Sequence, residues 1–244
     1  MVVDRMEAQD YQKYIGEATV PHSFLKAPYF RPQGFPDGIF RVGPLARLNI
    51  VARCGTEAAD IEFAEYHQRF GRVVQSSFHF HYARLIEIIY CLERMELLLN
   101  DPAILDRHVR AHAGVNALEG VGVAEAPRGT LIHHYKVNED GAIVAVNLII
   151  ATGNNNLAIG HSITQVGRHF VDGNRLQDGM LNRVQAVLRA YDPCLSCSTH
   201  AVGSMRWIYD WSGRTARNWM RCGIRASACP VAQRAEDWPR WNSR

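Results

Sequence analysis

The sequence predicts an α+β fold that is dominated by helices and contains a small β-hairpin layer. Two long stretches, residues 56–70 and 77–99, repeat their apolar residues at the spacing of one helix face. A third stretch, residues 121–150, changes to the period of strands and contains a short polar turn. An apolar content of 47% over 244 residues is sufficient for one large domain or two small ones.

The stretch 77–99 is the most regular of the predicted helices. Its apolar positions, with acidic residues between them, are Leu85, Ile88, Ile89, Leu92, Met95 and Leu99. His79 and His81 near its start are candidate ligands, although histidines in such positions more often pack in a core or face solvent. Two further helices are predicted, one from the Asn run at 154–156 to about residue 170, and one over 176–190. We expect the Asn run to cap the first of them, because an Asn side-chain oxygen accepts a free helix N–H.

The strands flank a turn with strong sequence signals. Residues 130–137 and 142–150 are apolar and β-branched, and the linking Asn-Glu-Asp-Gly contains the Asp-Gly pair typical of hairpins. Residues 1–45 are different, because Pro recurs through them. We expect an irregular, extended segment there that packs on something outside this chain.

Composition narrows the cellular context. No run of about 18 apolar residues occurs, so no membrane span is predicted, and the acidic N-terminus does not have the pattern of a signal peptide. Six cysteines in such a chain indicate free thiols or metal ligands rather than a disulfide framework. Residues 201–244 hold eight Arg, three acidic residues and all five Trp, so composition changes abruptly after residue 200.

The most informative motif lies at that boundary and reads Asp-Pro-Cys-x-x-Cys-x-x-His over residues 192–200. Thiolates and imidazole bind nickel, zinc, copper and iron, so Cys194, Cys197 and His200 are candidate ligands. The same pattern also occurs in structural zinc sites and in thioredoxin-like redox pairs. A structural zinc needs four ligands, and no second pair lies nearby.

Two more stretches make the pattern specific. Glu-Ala-Pro-Arg-Gly occupies 125–129, and Asn-Leu-Ile-Ile-Ala-Thr-Gly-Asn-Asn-Asn occupies 147–156. In this order, with the 192–200 motif, they resemble the C-terminal half of the large, catalytic subunit of nickel–iron hydrogenases. The residues of these motifs are most similar to those of the cytoplasmic, bidirectional, NAD-reducing type. Val-Gly-Pro-Leu-Ala-Arg at 42–47 fits the same type of large subunit, and the resemblance covers about residues 1–205.

The resemblance implies roles for the residues of the last motif. Cys194 matches a terminal nickel ligand that can also take a proton, and is therefore catalytic. Cys197 matches a ligand that bridges nickel and iron, and His200 matches a ligand of a buried magnesium or similar ion. In the family, a maturation protease cuts after this histidine, here between His200 and Ala201.

The resemblance also implies a pocket for the cyanide and carbon monoxide bound to the iron. Arg128 matches the catalytic arginine that stands over the open metal position and helps to hold a cyanide, and Thr152 matches a hydroxyl that donates to a cyanide. Pro127 and Ala151 match the apolar wall around the diatomic ligands. Taken singly, Arg128 could form a salt bridge at a strand end and Thr152 could lie beside a helix cap.

Two regions depart from the family pattern. The R-x-C-x-x-C motif that supplies the other two thiolates is absent, so residues 1–200 are expected to be a fragment, inactive alone. Cys54 and Cys91 lack such a partner and are not predicted as ligands. Residues 201–244 match an extension that is normally cleaved, but from about Arg206 they are expected to be frameshifted and disordered, not an arm that binds nucleic acid.

The implied assembly is a cytoplasmic hydrogenase without a membrane span. Its iron–sulfur clusters and FMN would lie in partner chains, namely a hydrogenase small subunit with iron–sulfur clusters, plus diaphorase subunits that pass electrons to NAD. Two other hypotheses remain open at this point. One is a non-catalytic zinc-binding module, and the other is an inactive remnant.

Overall fold

The computed structural model describes residues 6–20, 23–110, 114, 116–173, 175 and 177–198. The predicted boundary after residue 200, the candidate residues His200 and Ala201, and the predicted frameshift lie outside these residues. The fold within them is mainly helical with two small antiparallel sheets, as predicted. The α-helices are α1 Tyr11–Tyr14, α2 Pro44–Ile50, α3 Glu57–Phe70, α4 His79–Leu99, α5 Ala151–Asn154, α6 Asn156–Phe170, α7 Asp178–Tyr191 and α8 Leu195–Ser198. The strands are β1 Ile15–Ala18, β2 Ala27–Phe30, β3 Glu119–Ala126, β4 Gly129–Val137 and β5 Ile143–Ile149.

The long helices form the main core. Helices α2, α3, α4, α6 and α7 bury one cluster, whose members include Leu45, Leu48, Phe63, Tyr66, Phe80, Ile86, Ile159, Val187 and Tyr191. A side chain of α4 also caps α3, because the Glu93 carboxylate accepts hydrogen bonds from the Ala58 and Ala59 amides at 2.9 and 3.0 Å. This cap satisfies two of the amides that a helix start leaves without partners. Helix α7 packs in this core, and the cysteine motif follows it directly in the sequence.

The predicted hairpin is confirmed as β4 and β5. At its turn the Asn138 side chain accepts from the Ala142 amide at 2.8 Å, and Gly141 adopts a φ of 79°, which glycine tolerates well. The sheet has a third strand, however, that the sequence did not predict. β3 pairs antiparallel with β4 from Glu119 opposite Lys136 to Ala126 opposite Gly129. Its Gly and Ala content gives a weak strand signal, which cross-strand pairing overrides.

The expectation for the N-terminal segment was wrong for residues 11–30. β1 pairs with β2 in antiparallel register, from Ile15 opposite Phe30 to Ala18 opposite Ala27. Tyr11 is 1% exposed and packs with Ile132 and Ile149 of the three-stranded sheet. The segment therefore packs on this chain itself. Pro28 is compatible with β2 because β1 and β2 form a two-stranded sheet, in which every strand is an edge.

One face of α4 is apolar and exposed. We call the side chains Leu85, Ile88, Leu92, Met95 and Leu99, all at least 48% exposed, the α4 stripe. The opposite face carries Phe80, Ala83 and Ile86, which are buried. The helical period located the stripe in the sequence but did not show which face the core covers. Within the described part of the chain, no helix combines the length and the apolar character that crossing a membrane requires.

Contiguous apolar surface of this kind promotes association. We expect that replacing Ile88, Leu92 and Met95 by Gln reduces self-association of the 244-residue chain, measured by light scattering. The free energy of unfolding should change by less than about 0.5 kcal/mol per site, because these side chains are already solvated. The matched control is Ile86→Gln on the buried face of the same helix, which should cost about 3 kcal/mol or more. Equal destabilisation by both changes would contradict the exposure of the stripe.

Candidate metal centre

The cysteine motif begins where α7 ends. Asp192 adopts the left-handed conformation with a φ of 50°, and its amide donates to the Arg189 carbonyl at 3.1 Å, which turns the chain away from the helix. Cys194 follows and is half-buried, whereas Cys197 on α8 is exposed. Their α-carbons lie 5.5 Å apart and their sulfurs are paired as a disulfide. A metal ion binds such side chains as thiolates, so the C-x-x-C turn brings two soft ligands to one point once an external two-electron reductant has opened the disulfide.

Thr152 anchors this turn from α5. Its hydroxyl oxygen accepts a hydrogen bond from the Cys194 amide at 3.0 Å, across 42 residues of sequence. The Thr152 side chain is 3% exposed. Because the oxygen serves as acceptor in this bond, the hydroxyl proton remains available to a second group.

Arg128 reaches the same turn from the sheet. It lies in the two-residue turn between β3 and β4, where Ala126 pairs with Gly129. Its Nε donates to the Asp192 carbonyl at 2.8 Å and lies 3.0 Å from the Asp192 carboxylate. Sequence reasoning did not assign Asp192 a role beyond its place in the motif. The sequence offered one signal for this contact. Asp192 is an acidic residue two positions before the candidate ligand Cys194, and the same family pattern contains an arginine, Arg128.

The two residues predicted to form an apolar wall differ in their surroundings. Ala151, at the start of α5, is 3% exposed. Pro127, beside Arg128 in the turn, is exposed, and its carbonyl accepts from Arg47 Nη2 at 3.0 Å. The structure thus places both residues next to groups that contact the cysteine motif, but only Ala151 is buried.

The Asn run after Thr152 does not cap a helix as predicted. Asn155, at the N-cap position of α6, makes no capping bond and is 2% exposed. Its amide instead accepts from the Val42 amide at 3.0 Å and donates to the Val42 carbonyl at 3.3 Å. Asn154 donates to the Thr130 carbonyl at 2.9 Å. A buried amide needs partners on all sides, so the run joins the segments around residues 42 and 130 to α5.

The remaining candidate ligands lie elsewhere. His79 is half-buried and packs edge-on against Phe70 and Tyr66, with ring centroids 4.4 and 5.7 Å apart, but its buried Nδ1 has no hydrogen-bond partner among the described residues, unlike the satisfied core histidine that was expected. His81 is exposed. Burial, with smaller effects of Asp60 and Glu87, raises the pKa of Cys54 to about 11, which disfavours the thiolate that a metal needs. Among the residues that the structure describes, no three His, Cys, Asp or Glu side chains are placed to share one ion.

A family model for nickel-dependent hydrogenases matches residues 2–200 of the chain. The chain belongs to the nickel-dependent hydrogenase family. Among curated relatives, the NAD-reducing hydrogenase HoxS subunit beta of Cupriavidus necator is 37% identical over 220 residues, which are 87% of this chain and 45% of that protein. A chain of the F420-non-reducing hydrogenase of Methanothermobacter thermautotrophicus is 40% identical over 219 residues, 84% of this chain and 44% of that protein.

The fold comparison agrees with the family. A crystal structure of an NAD+-reducing NiFe-hydrogenase in the H2-reduced state matches with a TM-score of 0.76 and 41% identity. The match covers 82% of this hydrogenase chain and 44% of that one. The chain thus spans less than half the length of these relatives.

The family implies a nickel–iron centre, and the side chains present suit part of one. Cys194 and Cys197 are soft ligands on one tight turn, which suits nickel and low-valent iron. Arg128 and Thr152 are donors held beside that turn by Asp192 and by the Cys194 amide. The donor chemistry of the site therefore fits the group that the hydrogenase family implies.

Proposed function

We propose that this chain carries the catalytic half-site of a nickel–iron hydrogenase, which oxidises H2 reversibly to protons and electrons. The observation that supports this most directly is the meeting of three distant motifs. Arg128 binds Asp192 across 64 residues, and Thr152 binds Cys194 across 42 residues. The three stretches on which the family resemblance rests thus converge on one turn.

Each of these side chains has a definite task in the proposal. Cys194 would bind nickel, Cys197 would bind the nickel–iron pair, and His200 would bind a magnesium or similar ion. When bound, the centre would supply the chemistry that splits H2. The Cys194 sulfur, as a thiolate, holds the proton that is released. Arg128 is always charged, and the Asp192 carbonyl directs its guanidinium toward the turn.

The environment of the diatomic ligands follows from the same geometry. Cyanide is an anion that accepts hydrogen bonds, so it favours a site with fixed donors. Arg128 supplies guanidinium N–H groups, and Thr152 supplies the hydroxyl proton that its bond to Cys194 leaves available. Pro127 and Ala151 present apolar surface, of which Ala151 is the buried part. We infer that these four residues surround the cyanide and carbon monoxide ligands of the iron.

The electrons are proposed to leave through the iron–sulfur clusters of a small subunit, then through diaphorase subunits with FMN, and finally to reach NAD. The NAD-reducing name of one relative supports this acceptor, although other relatives are named as F420-non-reducing hydrogenases. We propose a cytoplasmic complex in which a maturation protease cuts between His200 and Ala201. We also propose that residues 1–200 supply only two of the four thiolates and cannot assemble the metal pair alone.

The test is a metal and activity analysis of the purified complex in which this chain is present together with the polypeptide segment that carries the family's R-x-C-x-x-C motif; stoichiometric nickel and iron in this chain alone would overturn the proposed half-site. We expect stoichiometric nickel and iron, and H2-dependent reduction of both benzyl viologen and NAD+. Reduction of viologen without NAD+ would retain the catalytic role and overturn the acceptor. Zinc without nickel would favour the zinc-binding module, and a metal-free, aggregated chain would favour the inactive remnant.

A further inference from the structure

Arg47 lies in α2, and the proposed mechanism gives it no role. Its guanidinium makes five hydrogen bonds, to Glu87, Glu125, Ala126 and Pro127. The last three acceptors directly precede Arg128 in the sequence. We propose that Arg47 is a positioning residue that fixes the β3–β4 turn and thereby aims Arg128 at the metal site. The inference rests on the proposed function of Arg128.

One edge of the Arg47 guanidinium is anchored to the helical core. Nε and Nη2 donate to the two carboxylate oxygens of Glu87 on α4, each at 2.7 Å. Such a paired geometry fixes the plane of a guanidinium as well as its position. The two side chains are 22% and 23% exposed, so solvent screens this pair only in part. Arg47 is therefore held rigidly before it contacts the sheet.

The other edge holds the turn. Nη1 donates to the Glu125 carboxylate at 2.7 Å and to the Ala126 carbonyl at 3.0 Å, and Nη2 donates to the Pro127 carbonyl at 3.0 Å. The second oxygen of Glu125 accepts from the Thr130 hydroxyl across the hairpin. Five guanidinium N–H groups thus meet five acceptors, which is the full donor capacity of arginine. Three of the five lie on the segment that ends at Arg128.

The backbone of Arg128 is confined from the α2 side as well. Gly43, immediately before α2, has a φ of 97°, and a Cβ there would lie 2.8 Å from the Arg128 carbonyl oxygen. The chain around residue 43 is in turn bound by Asn155 through Val42. Arg47 and Gly43 thus both restrict the turn from the α2 side, while the Arg128 side chain contacts Asp192.

Lysine cannot replace this function, because an ammonium is a point charge without the planar fork that spans Glu87 and the turn together. In the purified complex, we expect Arg47→Lys to lower kcat by roughly 10- to 100-fold, since a displacement of about 1 Å far from the chemistry has effects of that size. Nickel content should stay at the wild-type level. Hydrogen–deuterium exchange of the backbone amides of residues 126–130 should become faster.

Two variants of α4 separate positioning from general stability. Glu87→Gln weakens the anchor of Arg47 and should also speed exchange at 126–130 and lower kcat. Glu93→Gln is the matched control, because that carboxylate caps α3 through Ala58 and Ala59 rather than holding Arg47. It should leave exchange at 126–130 and kcat within about twofold of wild type. Equal effects of the two glutamate variants on the turn would overturn the proposal.

A double-mutant cycle with Arg128→Lys decides whether Arg47 acts through Arg128. If it does, the double variant should turn over no more slowly than Arg128→Lys alone, within about twofold. Multiplied losses would show an independent role for Arg47 and overturn this inference while leaving the proposed function intact. A fully active Arg128→Lys variant would overturn the proposed role of Arg128 and this inference together. If Arg47→Lys fails to assemble, the same cycle is run with Glu87→Gln.

Discussion

Replacing Cys194 by Ser is expected to abolish hydrogen turnover in the assembled complex, by roughly a thousandfold or more. A serine hydroxyl is a hard, protonated group that replaces a soft thiolate. The change therefore removes the proposed nickel ligand and the sulfur proposed to hold the released proton at the same time. The backbone bond to Thr152 should survive, because it uses the Cys194 amide rather than the side chain. Turnover is measured as H2-dependent viologen reduction, together with the nickel content of the purified complex.

The matched control is Cys91→Ser, because Cys91 is an exposed, free thiol on α4. It should leave both turnover and nickel content unchanged. A Cys194→Ser complex that keeps its nickel and works within about tenfold of wild type would remove Cys194 from the metal site. It would also favour a merely structural role for the turn.

Replacing Arg128 by Lys is expected to lower turnover by roughly 10²- to 10³-fold while nickel content is retained. Losses of this size follow the removal of one fixed donor beside a reacting centre. Lysine keeps the charge, but it lacks the Nε–H that donates to the Asp192 carbonyl and the Nη–H groups of the guanidinium that lie beyond Nε. The readout is kcat for H2 oxidation at saturating acceptor, measured beside the infrared bands of the iron-bound diatomic ligands, which should shift.

Asp192→Asn tests how much of this effect is ionic. The Arg128 and Asp192 side chains are 41% and 47% exposed, so their ion pair contributes less than about 1 kcal/mol. The carbonyl acceptor is backbone and remains in the variant. We therefore expect less than a tenfold loss of turnover. Arg69→Lys, which changes an exposed pair with Glu65 on α3, should have no effect. Arg128→Lys at wild-type turnover would contradict the role of the guanidinium.

Local patterns predicted most of the secondary structure, because the residues that signal a helix or a hairpin lie close to one another in the sequence. The bounds of α3, α4 and the β4–β5 hairpin agree with the prediction to within about two residues. β3 was not predicted as a strand, because its alternation of Gly with Val and Ala has little strand propensity without its partner β4. The prediction that the Asn run caps a helix was wrong for a related reason. Asn caps helices in isolation, but Asn155 is buried, and its amide is satisfied by Val42, 113 residues away.

The sequence by itself determined the family of this protein and the residue types of its candidate site. Three ordered motifs contain two cysteines, an arginine and a threonine, and these motifs can be recognised from the sequence without knowledge of the fold. Only the tertiary structure decided how these residues are held: Asp192 accepts from Arg128, Thr152 accepts from the Cys194 amide, and Arg47 donates to the carbonyls of the turn. The physical reason is that a buried polar group must find a partner wherever packing offers one. That partner depends on how all the elements pack together, which no local pattern contains.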